Sequence, residues 1–358
     1  MKKSKNILID LDRLKNPYNG LGQFSLNFGK NLASLQPEEL QFTFLVPPNY
    51  VGYFGHNVNY EVANWKRRYF SRFLKRYDLW HAIHQDSNFF PNPQTKYLLT
   101  IHDLNFLKEK SPQKAKKRLQ KLQKKINLSC GVTTISEFSK NEILNNLQIN
   151  VPVYVIYNGI ELSELSSKSD VLTSDNSKLL LGIGVIQPKK NWHILVNFMK
   201  FLPENYILQI AGDDNSSYAK ELKKQIQQSG LTQRIKLLGK VSEEQKASLL
   251  HNCYAFVFPS KLEGMGMPPL EAMQAGKPVF VFPYSSIPEF CKDYAFYWEN
   301  ENPLSMAKFF LDKTNYFYSN TELSLRIQEY AKQWNWKKTT LQYIELYQSL
   351  LGITEKLN

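Results

Sequence analysis

Apolar and polar residues follow each other along this chain in blocks of two kinds. Short apolar runs at Lys5–Leu11, Gln41–Val46, Asp78–His84, Lys96–Ile101, Gly131–Ile135 and Val151–Ile156 read as buried strands. Between them lie segments whose apolar residues recur three and four apart, as in Ser25–Leu35 and the helix that Ser136 caps through Leu147. The same rhythm resumes with strands at Lys178–Val185, Tyr206–Ala211, Ile235–Gly239, Tyr254–Phe258 and Pro278–Phe282. Helices over Trp192–Phe201 and Tyr218–Ser229, and one opened by Ser242-Glu243-Glu244, alternate with them. Strand–helix alternation in both halves predicts an α/β chain of two doubly wound domains with mainly parallel sheets. Leu162–Ser177, rich in Ser and Asp and poor in apolar residues, reads as the interdomain linker.

One stretch concentrates the candidate chemistry. Tyr254–Gly276 runs from an apolar strand through a loop with two glycines and two prolines into a helix beginning near Leu270. Glu263 falls on the loop and Glu271 in the first helical turn, both at the carboxyl end of a strand, where open α/β sheets bind ligands. Pro268 and Pro269 suit the N-cap and first helical position. The glycines let backbone amides approach a ligand, and a helix N-terminus attracts an anion. Near the start of the chain, Gly20 and Gly22 lead from the first strand into a helix, as a phosphate or sugar cradle or as a plain turn. His102 directly follows a strand, and Asp10 and Asp12 end the first one, with no neighbouring His or Glu in sequence to complete a metal site.

Charge and cysteine content narrow the field. A formal net charge of +13 favours an anionic partner. Two segments carry much of it: Trp65–Tyr77 (WKRRYFSRFLKRY), and the lysine-rich helix after Ser111-Pro112, Lys114–Lys125. The first reads either as a membrane-interface or nucleic-acid surface, or as a solvated amphipathic helix whose Phe70, Phe73 and Leu74 pack on the sheet. The second reads either as a helix attracted to an anionic membrane surface or as a solvated helix face. Cys130, Cys253 and Cys291 are widely spaced and set among apolar residues, which fits buried reduced thiols. No apolar run approaches the length of a membrane-spanning helix, and the broken N-terminal run is a strand and not a signal peptide.

FVFPSKLEGMGMPPLEAMQAGKPV (Phe256–Val279) resembles the family 4 retaining glycosyltransferases of GT-B fold, which carry two glutamates flanking seven residues. IGVIQPKKN (Ile183–Asn191), IAGDD (Ile210–Asp214), LLGKVSEEQKASLL (Leu237–Leu250), TIHDLNFL (Thr100–Leu107), ISEFSKNEI (Ile135–Ile143), IYNGIE (Ile156–Glu161) and NGLGQF resemble further parts of that family, in the same order. The resemblance implies two Rossmann-like domains facing across a cleft: an acceptor domain over residues 1–165 and a nucleotide-sugar donor domain over 166–331. Residues 332–358 would return to the first domain as a terminal helix. It implies that Glu271 holds the ribose and Glu263 the transferred sugar, while the amides of Gly264, Met265, Gly266 and Met267 hold sugar hydroxyls and diphosphate. Lys190 would neutralise the leaving diphosphate; His102 would lie near donor and acceptor; Gly20 and Gly22 would line the cleft. Many relatives carry an arginine where this chain has Val185, so the resemblance implies that Lys189 would be the substitute phosphate contact.

The implied reaction moves a hexose, such as mannose or glucose, from a nucleoside-diphosphate sugar to a glycan or lipid-linked acceptor in surface polysaccharide or lipopolysaccharide synthesis. It retains configuration and uses no metal or other cofactor. The implied place is the cytoplasm, at the inner face of the plasma membrane, with no nucleic-acid partner. A glycosidase using the two glutamates is disfavoured, because hydrolysis gives Lys190 and a phosphate-facing helix nothing to do. The reading of a different class is a non-catalytic nucleotide-sugar or nucleic-acid binder.

Overall fold

The computed structural model describes residues 4–70, 75–161 and 177–353 and divides into two compact units. The first comprises Met1–Gly159 and Trp334–Asn358, the second Ile160–Gln333. Phe73, Leu74 and all of the expected linker except Ser177 lie outside the described residues.

The first unit contains β1 (Lys5–Asp10), α1 (Gly20–Leu35), β2 (Leu40–Val46), β3 (Asn59–Val62), α2 (Trp65–Tyr69), β4 (Leu79–Ala82), β5 (Lys96–Ile101), α3 (Phe106–Glu109), α4 (Pro112–Ile126), β6 (Gly131–Thr134), α5 (Glu137–Asn146) and β7 (Val153–Val155). Its seven strands pair in the order β3-β2-β1-β4-β5-β6-β7, all parallel. Parallel strands covered on both faces need unbroken apolar runs, and every residue of β4 is buried. Helix α1 buries Phe24, Phe28 and Leu32, one turn apart. The C-terminal helix Trp336–Leu351 packs on α1 through Trp336 against Phe24 and Tyr343 against Phe28, with ring centroids 5.4 and 4.9 Å apart. Buried polar groups fix that helix to the sheet: Tyr347 Oη meets His81 Nδ1 at 2.7 Å, and His81 Nε2 meets Thr100 Oγ1 at 2.7 Å.

The second unit contains β8 (Lys178–Ile183), α6 (His193–Met199), β9 (Tyr206–Ala211), α7 (Ser217–Gln228), β10 (Ile235–Gly239), α8 (Glu243–Asn252), β11 (Ala255–Phe258), α9 (Met267–Gln274), β12 (Val279–Val281), α10 (Ile287–Cys291), β13 (Phe296–Tyr297), α11 (Pro303–Ser319) and α12 (Thr321–Lys332). The helix Trp336–Leu351 of the first unit is α13. Here the strand order is β10-β9-β8-β11-β12-β13, again parallel throughout. Ser242 and Gln245 close a reciprocal capping box at the start of α8. In both sheets the strand order reverses beside the first strand of the unit, between β1 and β4 and between β8 and β11. At such a switch point the flanking loops part and leave room for a ligand.

Several sequence expectations need correction. Helix α1 begins at Gly20 and not Ser25, because Asn19 Oδ1 accepts the Gly22 amide at 2.8 Å and caps it earlier. Helix α9 begins at Met267, with Gly266 in a left-handed cap conformation. Pro268 and Pro269 therefore sit two places each further into the helix than expected, and Glu271 falls just past the first turn. Trp65–Tyr77 is not one helix: α2 ends at Tyr69, Phe70 is exposed, and Tyr77 is buried with its hydroxyl on Glu61. Cys253 and Cys291 are buried, whereas Cys130 is only half-buried.

Candidate active site

The turn after β8 and the loop after β11 meet at the switch point of the second sheet. Pro188–Lys190 forms a short 3-10 turn, closed by Asn191 at φ 58°. The Lys189 carbonyl accepts the Lys261 amide at 2.8 Å and Ser260 Oγ at 3.3 Å, which fastens the two loops together. Lys190 is buried; its Nζ lies 2.5 Å from Glu263 Oε1 and 4.7 Å from the Phe258 ring centroid. Its stem crosses Gly184, where an added Cβ would stand 3.2 Å from Lys190 Cε at a φ of +153°. Glycine there leaves the lysine its path.

Glu263 is also held by its backbone. Its amide donates to Ser285 Oγ at 2.9 Å and its carbonyl accepts Ser286 Oγ at 3.1 Å. Gly264, Met265 and Gly266 then lead into Met267, the first residue of α9, so their amides stand at that helix's N-terminal end. The Met265 side chain is buried, which leaves only its backbone for a ligand. Further along α9, Glu271 Oε1 lies 3.1 Å from Lys246 Nζ, which also reaches Glu243 at 2.7 Å. Burial by itself would lower the Lys246 pKa, but the two carboxylates hold it above the usual lysine value. Lys246, Ser285 and Ser286 escape a reading of spacing alone: Glu271 is 25 residues from Lys246, and Glu263 is 22 and 23 from the two serines.

The remaining expected residues lie in the first unit. The His102 ring is buried, and Nε2 donates to the Ile83 carbonyl at 2.8 Å, which makes Nδ1 the acceptor. Its backbone amide donates to Gln85 Oε1 at 3.0 Å, and Gln85 Nε2 donates to the Asp103 carbonyl at 3.0 Å. Phe24 of α1 stands edge-on to the His102 ring at 5.0 Å. Gly22 and Gly20 differ in kind. A Cβ on Gly22 would lie 2.7 Å from Pro17 Cα, so that glycine is required by packing, whereas Gly20 faces open space.

A further group fills the switch point of the first sheet. The expectation that Asp10 and Asp12 have no histidine partner is corrected by His84, 72 residues beyond Asp12, whose Nε2 lies 2.9 Å from Asp12 Oδ1. Ligand atoms of Asp10, Asp12 and His84 lie within 4.8 Å of one another. Protein donors already use them: Lys15 Nζ meets Asp12 Oδ2 at 2.9 Å, the Asp12 amide donates to Asp10, and Ser87 Oγ donates to Asp10. Arg13 Nε lies 3.2 and 3.3 Å from the two ring nitrogens of His84, so its guanidinium covers the ring. Lys15 and Arg13 thus tie the three side chains into an internal ion network.

These groups carry a pH prediction. Burial pushes His81 down to about 3 and His102 to about 4, and it lowers His84. His81 and His102 stay neutral in the fold, so their contribution is full above about pH 6.5 and lost as pH falls toward 4, and the lowered His84 acts in the same direction. Burial and then the Asp12 charge raise Asp10 to about 7, a contribution of opposite sign that is lost as pH rises from about 4 to 7. Three histidines outweigh one aspartate. The first unit should lose roughly 1.4 kcal/mol per pH unit for each net proton as pH drops from 6.5 to 4. Hydrogen-exchange protection of its strands, measured across that range, checks this; flat or rising protection on acidification counts against it.

Comparison with known proteins gives this arrangement a family. Residues 31–164 match the model described as Glycosyltransferase Family 4, and residues 165–334 the one described as Glycosyl transferases group 1. The chain belongs to the family 4 glycosyltransferases. Its GT-B architecture is shared with Anabaena HepE, solved with UDP and glucose, at a TM-score of 0.76 and 19% identity over 96% of this chain and 100% of that one. Sucrose-phosphate synthase from Thermosynechococcus elongatus aligns at 0.77 and 16% identity over 98% and 100%. Among curated relatives, the O-antigen chain mannosyltransferase B of Escherichia coli is 24% identical over 96% of this chain and 100% of its own. An uncharacterized glycosyltransferase of Methanocaldococcus jannaschii is 26% identical over 61% of this chain, and the O-antigen chain mannosyltransferase RfbU of Salmonella typhimurium 29% over 54%. The matched regions span 59% and 52% of those two proteins. In this family 4 chain the paired glutamates are thus each held by a lysine, Glu263 by Lys190 and Glu271 by Lys246.

Proposed function

We propose that this protein transfers a hexose, with mannose the first candidate, from a nucleoside-diphosphate sugar to a glycan or lipid-linked acceptor in surface-polysaccharide synthesis. The observation that carries the reading is the buried Lys190–Glu263 pair at the switch point of the second sheet, beside the N-terminus of α9. Breaking a glycosyl–phosphate bond develops negative charge on the leaving diphosphate. A fixed ammonium and the amides of Gly264 to Met267 stabilise that charge with no metal. Lys189 supplies a second cation in place of the arginine absent at Val185. On donor binding Lys190 keeps its contact with Glu263 Oε1 and turns its other N–H donors to phosphate, while Glu263 Oε2 serves the sugar. Transfer then retains configuration by departure and attack on one face, with Glu263 as an electrostatic and positioning group. The second unit serves as donor domain, and the first, with His102, Gly20 and Gly22, as acceptor domain. The two O-antigen mannosyltransferases among the relatives favour mannose over glucose.

A panel of nucleoside-diphosphate sugars, scored by thermal shift and by sugar transfer, tests the reading. Stabilisation by one donor, with its anomeric configuration kept in the product, is the expected result. No response to any nucleotide sugar, together with salt-sensitive binding to RNA or DNA, favours the non-catalytic alternative.

Glu271→Ala should weaken nucleoside-diphosphate binding about tenfold or more, because ribose loses charge-assisted hydrogen bonds of ~1.5–3 kcal/mol. The fold should survive, since Lys246 keeps Glu243 as its partner. Lys246→Met should cause a smaller loss, by freeing Glu271 to rotate. Isothermal titration of both variants checks the order of the effects; equal affinities in wild type and Glu271→Ala would remove the ribose contact.

A further inference from the structure

The first unit holds a cavity of about 550 Å³ between the loop after β4 and helix α4. Its charge is one-sided. Six cationic side chains line it, all from α4, against a single carboxylate, Asp86, which already pairs with Arg118. Lys114, Lys117, Lys121 and Lys124 follow one another at helical spacings of three and four, so they form one exposed stripe along the wall. Among the described residues none of these four makes an ion pair or hydrogen bond. Like charges so spaced repel along the helix, and an anion in the cavity removes that repulsion.

The opposite wall is built and held. The buried Lys125 Nζ donates to the Gln85 and Ser87 carbonyls at 2.5 and 2.6 Å, and Arg13 Nη2 donates to the Asp86 carbonyl at 3.3 Å. The loop is therefore fixed from behind. Phe90 and Phe106 give the cavity an apolar part, with the Arg118 guanidinium 4.7 Å from the Phe106 ring centroid. Gln85 joins cavity and candidate catalytic residue: it lines the one and accepts the backbone amide of His102.

We propose that this cavity is an acceptor subsite that holds a phosphate or diphosphate ester, with the lysine stripe on its oxygens and the phenylalanines beside the adjoining carbon chain. The proposal rests on the glycosyl-transfer reading above and narrows its acceptor to a phosphate-bearing one. Two sources share this chemistry, a lipid-linked diphosphate and a soluble phosphate ester.

The test uses the full chain, inorganic pyrophosphate and farnesyl diphosphate as probes, and two paired variants. Lys117→Ala/Lys121→Ala removes the middle of the stripe. Lys110→Ala/Lys116→Ala removes the same charge from exposed positions outside the cavity. Pyrophosphate affinity should fall at least about tenfold in the first pair and less than about twofold in the second. Farnesyl diphosphate binding more tightly than pyrophosphate, and losing that advantage in the first pair, assigns the site to a lipid-linked acceptor; equal affinities assign it to a soluble phosphate. Equal losses in both pairs, or none in the first, overturn the proposal. Nucleoside-diphosphate binding is measured alongside: if it persists while the cavity fails, only the subsite is wrong. If it is absent from wild type while the first pair still loses pyrophosphate, the donor reading falls and the anion site stands.

Discussion

Lys190→Ala should lower kcat by about 100- to 1,000-fold, the loss expected when one preorganised group facing a developing anion is removed. The ammonium is fixed from three sides: Glu263 at 2.5 Å, the Phe258 ring at 4.7 Å and the Gly184 backbone beneath its stem. Such a group needs no reorganisation when the diphosphate leaves. Removing it also leaves Glu263 without its counter-ion in a mostly buried place, so a drop in melting temperature should accompany the kinetic loss. Lys190→Arg separates the two effects. It keeps the charge and the stability while changing the donor geometry, and recovers only part of kcat. Steady-state kinetics with melting curves on both variants provide the check, and an unchanged kcat in Lys190→Ala would sink the assignment.

Gly159→Ala should strongly destabilise the fold. A Cβ at Gly159 would stand 2.5 Å from Trp336 Cα and meet the backbone of Asn335 as well. Backbone does not rotate away as a side chain does, so relief requires moving the start of α13. Asn335 caps that helix through the Lys338 amide at 2.9 Å, and Thr339 Oγ1 donates to the Tyr157 carbonyl at 2.8 Å, so both fastenings shift with it. A loss of about 3 kcal/mol or more is expected, at the upper end for overpacking. Increased exchange of α13 amides is the diagnostic sign. Gly20→Ala, at a glycine facing open space, supplies the contrast and should leave stability nearly unchanged. Wild-type protection of α13 in Gly159→Ala would show that the contact can relax.

The inner strands of both units follow from their apolar runs, because a parallel strand buried on both faces must be apolar along its whole length. The edge strands β3, which begins inside the loop expected over Pro47–Tyr60, and β13 are only partly buried and carry no such run. Tyr206–Ala211 and Ile235–Gly239 are strands over the same residues that the sequence marks. Caps are almost as legible when the capping side chain is local: Ser136 and Ser242 start helices where expected. The misplaced starts of α1 and α9 have one cause. Glycine and proline mark a turn, and each also fits inside a first helical turn, where missing donors and open conformations cost little.

Pairings across the fold lay beyond such local rules. Sequence spacing marks Glu263 and Glu271, and the family resemblance Lys190, as separate candidates. Only the loop crossing at Lys189 brings Lys190 onto Glu263, and only the packing of α8 beside α9 gives Glu271 its lysine. The same holds for Asp12 with His84 and for the cavity facing α4, whose lysines read equally well as a solvated helix face until the Gln85–Ser87 loop stands opposite them. By itself the sequence determined the alternation of elements, the two parallel sheets and the residue types at the strand ends, since burial and helical period act over a few neighbouring residues. The tertiary structure alone decided which charges face one another, because parallel crossovers bring together loops whose residues stand 22 to 73 positions apart in the chain.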